Sequence, residues 1–212
     1  MMPYEIEYPK NNFLHFVKEM CKKNNCLFIL DEIRSGFRIA VGGAQQYFNI
    51  DADLITYGKA MGNGYEISAL GGKRKYMDLI HEVGFTFTFY RKPEAIAASI
   101  VTINEIKNSK NPNHLKILGS KLMQGILTAS KKNNIPLIPI GFPETPFICF
   151  KVASLREQEK YLDIFCNKLL KYGILVSPNH HWFLSYALEE NDIDYTIESI
   201  NKVLKEMKSE CF

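Results

Sequence analysis

The sequence of 212 residues predicts an α/β region that leads into a compact α+β unit. Three observations carry that expectation. An amphipathic helical pattern is followed at once by an unbroken apolar run, Cys26-Leu-Phe-Ile-Leu30, closed by the carboxylate of Asp31. Short strand candidates then recur around glycine turns. Past the polar segment Asn108-Ser-Lys-Asn-Pro-Asn113, two-strand and one-helix stretches alternate. Helix followed by buried strand, with polar chemistry at the strand's C-terminal end, is α/β organisation, and ligands in such sheets sit beyond the strand carboxyl ends.

Taken in order, Phe13, Phe16, Val17, Met20 and Cys21 recur at helical spacing with Leu14 alongside, capped by Asn11 or Asn12 and stopped at Asn24-Asn25. Cys26 to Leu30 fits a strand covered on both faces. Leu54-Ile-Thr-Tyr57 and Ile67-Ser-Ala-Leu70 are further strands, with Gly62-Asn-Gly64 between them. From Glu94 a helix runs through Ile96, Ile100, Val101, Ile103 and Ile106, and a second covers Leu115 to Lys131. Pro136 to Ile140 and Phe147 to Val152 are expected strands, Glu157 to Tyr172 a helix, and Ile174-Leu-Val176 and Trp182-Phe-Leu-Ser185 strands again. The last helix places Ile193, Ile197, Ile200, Val203, Leu204 and Met207 on one face, with Asn191 as cap. These elements divide the chain into 1–108 and 109–212.

Hydrophobic content of 46% and charged content of 23% are those of a globular chain able to bury a core. A net charge of +3, with lysines scattered among acids, argues against nucleic-acid or membrane-surface partners. Five dispersed cysteines without metal-ligand spacing, and an N-terminus without a secretory pattern, lead to an expectation of reduced thiols and a cytoplasmic location. No apolar run approaches the roughly 18 residues that span a bilayer.

The chemistry concentrates in two places. Lys59 sits in Gly58-Lys-Ala-Met-Gly-Asn-Gly64, and Asp31 closes the first strand 28 positions upstream. A lysine amine can form an imine with an aldehyde cofactor, and a carboxylate can hold a basic ring nitrogen protonated. Each has a plainer reading. Most lysines in glycine turns are solvated and inert, and Asp31-Glu32 could be a helix cap or a salt-bridge pair. Gly58-Lys59-Ala60 is not a P-loop, which needs Ser or Thr after the lysine. Gly62-Asn-Gly64 lacks the third glycine of a dinucleotide fingerprint. His180-His181 has no further ligand at metal spacing, and no nucleophile elbow occurs.

Jointly, these residues resemble a known family. The runs Asp31-Glu-Ile-Arg-Ser-Gly-Phe-Arg38, Gly42-Gly-Ala-Gln-Gln-Tyr-Phe48, Asp53-Leu-Ile-Thr-Tyr-Gly-Lys59 and Ala69-Leu-Gly-Gly-Lys-Arg74 are similar to class III pyridoxal-phosphate aminotransferases, most of all the glutamate-1-semialdehyde aminomutase branch. The similarity continues through Thr86 to Pro93 and Ala97-Ala98, and returns at Gly173 to Pro178 and Glu190 to Asp194. It implies a fold-type-I architecture. Residues 1–108 would be the C-terminal part of the large domain, with a mostly parallel sheet, and 109–212 the small domain. It implies pyridoxal 5′-phosphate as cofactor and amino transfer between a small-molecule donor and a carbonyl acceptor.

By position, Lys59 matches the lysine that forms the internal aldimine and Asp31 the partner of the pyridine nitrogen. Ile33 matches the side chain packed on one ring face. Thr88 matches the threonine that reaches the cofactor phosphate of a neighbouring subunit, which implies a homodimer. Lysine attacks a carbonyl only when neutral, and a dry site beside a protonated ring favours that form. Gly62 and Gly64 would give the backbone room beside the cofactor.

The sequence departs from the family in two respects. Only 30 residues precede Asp31, whereas the family's phosphate-binding helix N-terminus and second ring-stacking residue lie in a much longer stretch before it. The expectation is a piece of a split enzyme, pairing with a separate N-terminal half, a truncated or non-catalytic association subunit that holds the cofactor weakly or not at all, or a fragment of a longer protein. Missing strands would leave sheet edges and apolar surface open. In addition, Glu66 replaces the branch's usual Pro, Ser68 its Gly, and Tyr90-Arg91-Lys92 a small glycine-containing turn. The segment Ser177 to Ser185 is shorter than the aminomutase equivalent and lacks its Glu. These changes favour a general aminotransferase acting on a sugar-like or other polar carbonyl compound.

Overall fold

A computed structural model of the chain describes residues 6–84, 88, 90–109 and 113–210. It contains two compact units, Pro9–Pro112 and Asn113–Phe212, the second joined by the N-terminal residues up to Tyr8.

The first unit opens with α1 (Phe13–Lys23). Asn25 takes a left-handed conformation at its end, with Asn25 N donating to Lys22 O (3.3 Å) and Cys26 N to Cys21 O (2.8 Å). That is a Schellman stop, with Asn in the position glycine usually takes. Leu14, Val17 and Cys21 pack on the core of Phe28, Ile50, Ala52 and Ile55. The remainder of the expected stripe turns away, and Phe16 is 61% exposed.

The sheet has the order β1 (Ile29–Asp31), β2 (Leu54–Tyr57), β3 (Ala69–Gly72). β1 and β2 are parallel, while β2 and β3 are antiparallel, so the described sheet is mixed. β1 is shorter than the apolar run, and Ile29 is 53% exposed, so the strand is not covered on both faces. Residues 26–28 serve a different purpose. Phe28 N donates to Asp53 Oδ2 (2.9 Å) and Phe28 O accepts from Asp53 N (2.8 Å). Asp53 also accepts from Lys73 Nζ (2.8 Å) at the far end of β3. One carboxylate thus fastens the entry of β1, the start of β2 and the exit of β3. Short elements follow: α2 (Gly43–Tyr47) lies between β1 and β2, and α3 (Arg74–Met77) after β3. α4 (Pro93–Lys107) begins with Pro at its first turn, where a missing N–H costs nothing, and buries Ala95 and Ser99. Its Ile100 and Val101 face outward.

In the second unit, α5 (His114–Asn133) and α7 (Glu190–Glu210) pack together, with α6 (Leu155–Leu170) against α7 and against the antiparallel pair β4 (Leu137–Ile140) and β5 (Phe147–Phe150). Leu118, Leu122 and Ile126 of α5 meet Ile200, Val203, Leu204 and Met207 of α7, the helical spacing expected from sequence. Asp192 Oδ2 accepts from Glu189 N (2.8 Å), so Glu189 caps α7 in place of the expected Asn191, and Asp192 reaches back as the third residue of a capping box. Cys166 lies in this core, its thiol pushed up to about 12 by burial, which fits packing rather than reactivity. Lys168 joins α6 to Glu206 (3.0 Å) and Glu210 (2.9 Å) of α7. Tyr8 donates to Gly141 O (2.7 Å).

The strands expected at 174–176 and 182–185 do not form. Ile174 is used to end α6, its N–H reaching Leu169 O (3.2 Å) behind a left-handed Gly173. Trp182 N and Leu184 N do donate to Pro146 O (2.8 Å) and Glu144 O (3.3 Å). Pro146, opposite Trp182, has no N–H to return, which interrupts the ladder at that pair. Among the described residues no helix is long and apolar enough to cross a membrane.

Two measurements check these packing arguments. A Cβ at position 119 would lie 1.8 Å from Pro143 O, a backbone atom. Gly119→Ala is therefore expected to destabilise the second unit by about 2 kcal/mol or more in urea denaturation. Asp53 is held below its ordinary value of 3.8 by Lys73 and then by the Phe28 amide. A depressed carboxylate contributes stability that is complete above its unfolded value and is lost as pH falls through its folded one. Asp53→Asn should flatten the loss of stability below pH 3.8, read by denaturant midpoints down to about pH 2.5.

Candidate functional site

Parallel strands in register end at the same edge of their sheet. Asp31, the last residue of β1, stands opposite Thr56 of β2, and β2 then delivers Gly58 and Lys59 to that edge. Asp31 Oδ1 accepts two hydrogen bonds, from Ile33 N (2.9 Å) and from Thr56 Oγ1 (3.3 Å). Oδ2 has no hydrogen bond among the described residues.

Glu32 does the opposite. It is 1% exposed and accepts from Ala44 N and Gln45 N, each at 2.8 Å, and from the Ser35 hydroxyl. A Cβ on Gly43 would lie 2.3 Å from Glu32 Oε2, and Gly43 itself is left-handed at φ 68°. The cap reading weighed for Asp31-Glu32 therefore belongs to Glu32, which anchors the start of α2. Asp31 is left facing outward at the sheet edge.

Lys59 begins a 3₁₀ turn, Lys59–Gly62, at φ 47°. Most of the positive-φ residues other than glycine are Asn, which tolerates this region; a lysine there carries backbone strain. Its surroundings hold it in place. Met61 N donates to Gly58 O (3.1 Å), Met61 is buried, and α4 packs on the turn. Gly58 is closely approached, since a Cβ there would meet Ile33 Cδ1 at 3.2 Å and Ile33 would have to give way. Ile33 thus lies directly against the residue before Lys59. The structure brings Asp31, Ile33 and Lys59 together at one sheet edge.

Other expectations fare differently. Thr88 lies in an exposed turn and has no hydrogen bond to these three among the described residues. Thr86, Phe87 and Phe89 of the same run lie outside the described residues. Gly62 gives no room to a cofactor, because the space its Cβ would take is filled by Ile67 Cγ2 at 2.7 Å. Gly64 takes φ 101° with open space beside it. His180 and His181 lie in the second unit beside a groove of about 350 Å³, lined also by Trp182, Asp192 and Thr196. His181 Nδ1 is 3.0 Å from Thr145 O, and the described residues contain no group of three metal ligands.

Sequence reasoning missed Thr56 and Tyr57. Tyr57 packs against Gly36 and Phe37, and its hydroxyl is pushed up by burial and then by the Glu32 carboxylate. The alternation of β2, counted back from Lys59, was the available signal. Two of the departures from the family also turn out to be one, because Lys92 Nζ pairs with Glu66 Oε2 at 3.2 Å.

Comparisons with known proteins bear on this arrangement. The family model for aminotransferase class-III matches residues 6–204. The chain is 37% identical over 214 residues to the glutamate-1-semialdehyde 2,1-aminomutase of Alkaliphilus oremlandii, covering 96% of this chain and 50% of that one. It is 34% identical over 205 residues to the 3-aminobutyryl-CoA aminotransferase of Cloacimonas acidaminovorans, with the same coverages. Among solved structures it is similar to the FumI protein of Sphingopyxis sp. MTA144 in its PLP internal aldimine form, at TM-score 0.86 and 28% identity, over 93% of this chain and 47% of that one. An omega-transaminase from Sphaerobacter thermophilus, at TM-score 0.84 and 20% identity over 93% and 48%, shares the fold. The chain spans about half the length of the curated relatives it matches.

If the left-handed backbone at Lys59 is strained, glycine there should relieve it and alanine should not. Lys59→Gly is expected to exceed Lys59→Ala in stability by about 1 kcal/mol in urea denaturation without any ligand, despite glycine's larger unfolded-state entropy. Equal stability, or the reverse order, would count against the strain.

Proposed function

Because the chain belongs to the class-III aminotransferases, we propose that it carries the lysine and carboxylate of a pyridoxal 5′-phosphate site for amino transfer, between a small-molecule amino donor and a carbonyl acceptor or within one molecule. The observation that carries this reading is the arrival of Asp31 and Lys59 at one end of parallel, in-register strands, with Ile33 against Gly58. The residues fit the group: a carboxylate oxygen is free of hydrogen bonds among the described residues, and an apolar side chain stands against the residue before the lysine. When bound, pyridoxal phosphate supplies an aldehyde that captures amines and a protonated ring that draws electrons from the neighbouring carbon.

Each residue then has a task. Asp31 Oδ2 would accept the ring N–H and so favour the protonated ring near neutral pH. Lys59 Nζ would hold the cofactor and, when free of it, would be placed to move the proton at the substrate Cα. Ile33 covers a ring face and excludes water. Thr88 would donate to the cofactor phosphate of a second copy in a homodimer. Residues 1–108 are the C-terminal part of the large cofactor-binding domain and 109–212 the small domain. The rest of the phosphate cradle comes from polypeptide equivalent to the other half of the relatives' length, in a longer protein or a separate chain. The location proposed is the cytoplasm, with neither nucleic acid nor membrane as partner. The paired Glu66 and Lys92 support a general aminotransferase rather than a strict aminomutase, with a polar carbonyl acceptor.

A second reading, an association subunit that does not retain the cofactor, is favoured by the exposure of both Asp31 and Lys59 in this chain. Equimolar pyridoxal phosphate followed by borohydride separates the two. The expected product is a phosphopyridoxyl adduct confined to the Lys59 peptide and absent from Lys59→Ala, read by mass spectrometry of the digest. A chain left unlabelled, or labelled evenly over its surface lysines, supports the second reading.

A further inference from the structure

We infer that Thr56 is a positioning residue for Asp31: its hydroxyl and the Ile33 amide together hold Oδ1, and so turn Oδ2 toward the ring nitrogen of a bound cofactor. The inference rests on the cofactor reading above and extends it to a residue that the resemblance gives no role.

The side-chain torsion that sets an aspartate's oxygens is broad, so a free carboxylate at a strand end presents either oxygen, or neither squarely. Here the two donors approach the same oxygen. One is a main-chain N–H at 2.9 Å, fixed by the turn that follows β1. The other is the Thr56 hydroxyl at 3.3 Å, from the neighbouring strand. Their combined effect is to fix the plane of the carboxylate and to leave one oxygen over. Asp31 has no ion pair or other hydrogen bond among the described residues, so nothing competes for Oδ2.

Thr56 is well made for the task. Registered partners on parallel strands point to the same face, and Asp31 is registered with Thr56. A β-branched side chain on a strand has a restricted first torsion, so its hydroxyl direction is set by the backbone. A threonine hydroxyl has one proton to donate, and Asp31 receives it. The plainer account is that Thr56 is there because β-branched residues suit strands. On that account valine would serve equally well.

The test uses the full chain as wild type, Thr56→Val and Thr56→Ser. Each is titrated by absorbance with pyridoxal phosphate and with its 1-deaza analogue, in which CH replaces the ring nitrogen. Valine keeps the shape and the branching, and serine keeps the hydroxyl. Thr56→Val should weaken pyridoxal phosphate binding roughly three- to tenfold, the scale of one lost hydrogen bond at a partly exposed charged group, and leave the analogue within about twofold. Thr56→Ser should restore most of the loss. Binding of the analogue doubles as the control for folding. Equal weakening of both compounds, or of neither, overturns the role of Thr56 and leaves the cofactor reading intact. A wild-type chain that takes up neither compound overturns the cofactor reading and this inference with it.

Discussion

Asp53 sets the register of β1 against β2 from one end of the strands, and the chemistry waits at the other end. Its backbone exchanges a hydrogen bond with Phe28 while its carboxylate takes the Phe28 amide and the Lys73 ammonium. Ile29 then pairs with Leu54 and Asp31 with Thr56. Because side chains alternate along a strand, a slip of one residue would send Asp31 to the face now occupied by Glu32. It would also bury a carboxylate with no amides to receive it, at a cost the small core of this unit could not offset. The register is therefore enforced twice, by the Asp53 contacts before the strands and by Glu32 after them.

The adjacent carboxylates illustrate how one dipeptide can hold a structural group and an available one. Glu32 satisfies two α2 amides and a hydroxyl, so its charge is fully engaged. Asp31, one residue earlier, has one oxygen engaged and one open. The left-handed Lys59 belongs to the same economy of space. Ile33 lies close against Gly58, and the buried Met61 with α4 behind it holds the turn that begins at Lys59. A strained conformation persists only where its surroundings over-determine it, and here they do so from three sides.

How much of this was legible depended on the range of the interaction. The long helices α4, α5 and α7 follow from periodicity, which is local. The direction of an amphipathic stripe is not local. In α1 it is Leu14, Val17 and Cys21 that meet the core, while Phe16 and Met20 point outward, and only the position of the sheet decides that. The apolar segments at 174–176 and 182–185 have strand composition but lack a strand, the first because Ile174 is spent on ending α6 and the second because Pro146 opposite Trp182 has no N–H to return. At the candidate site, Asp31 and Lys59 stand out in the sequence since each sits in a contiguous motif. The sequence allows a cap at Asp31-Glu32 without saying which carboxylate makes it, and the contact of Thr56 with Asp31 exists only once β1 and β2 have paired.

The two units also differ in how they meet the demand for burial, and the difference bears on the site. The second unit closes a core of α5, α6, α7 and the β4–β5 pair in which Phe150, Phe165 and Leu204 are fully enclosed. The first unit, which bears Asp31 and Lys59, has only Phe28, Ile50, Ala52 and Ile55 buried in its sheet core, and β1 has β2 as its one strand neighbour among the described residues. Apolar side chains on α1, β1 and α4 remain outside. Exposed apolar patches and an open strand edge are where polypeptide adds to a fold, since pairing satisfies the free backbone groups and burial removes the apolar area from water. A cofactor phosphate would make the same demand in electrostatic form, for amides directed at an anion. Completing the sheet and completing the cradle are therefore the same structural problem, and the proposed homodimer or second half of the fold would answer both at once.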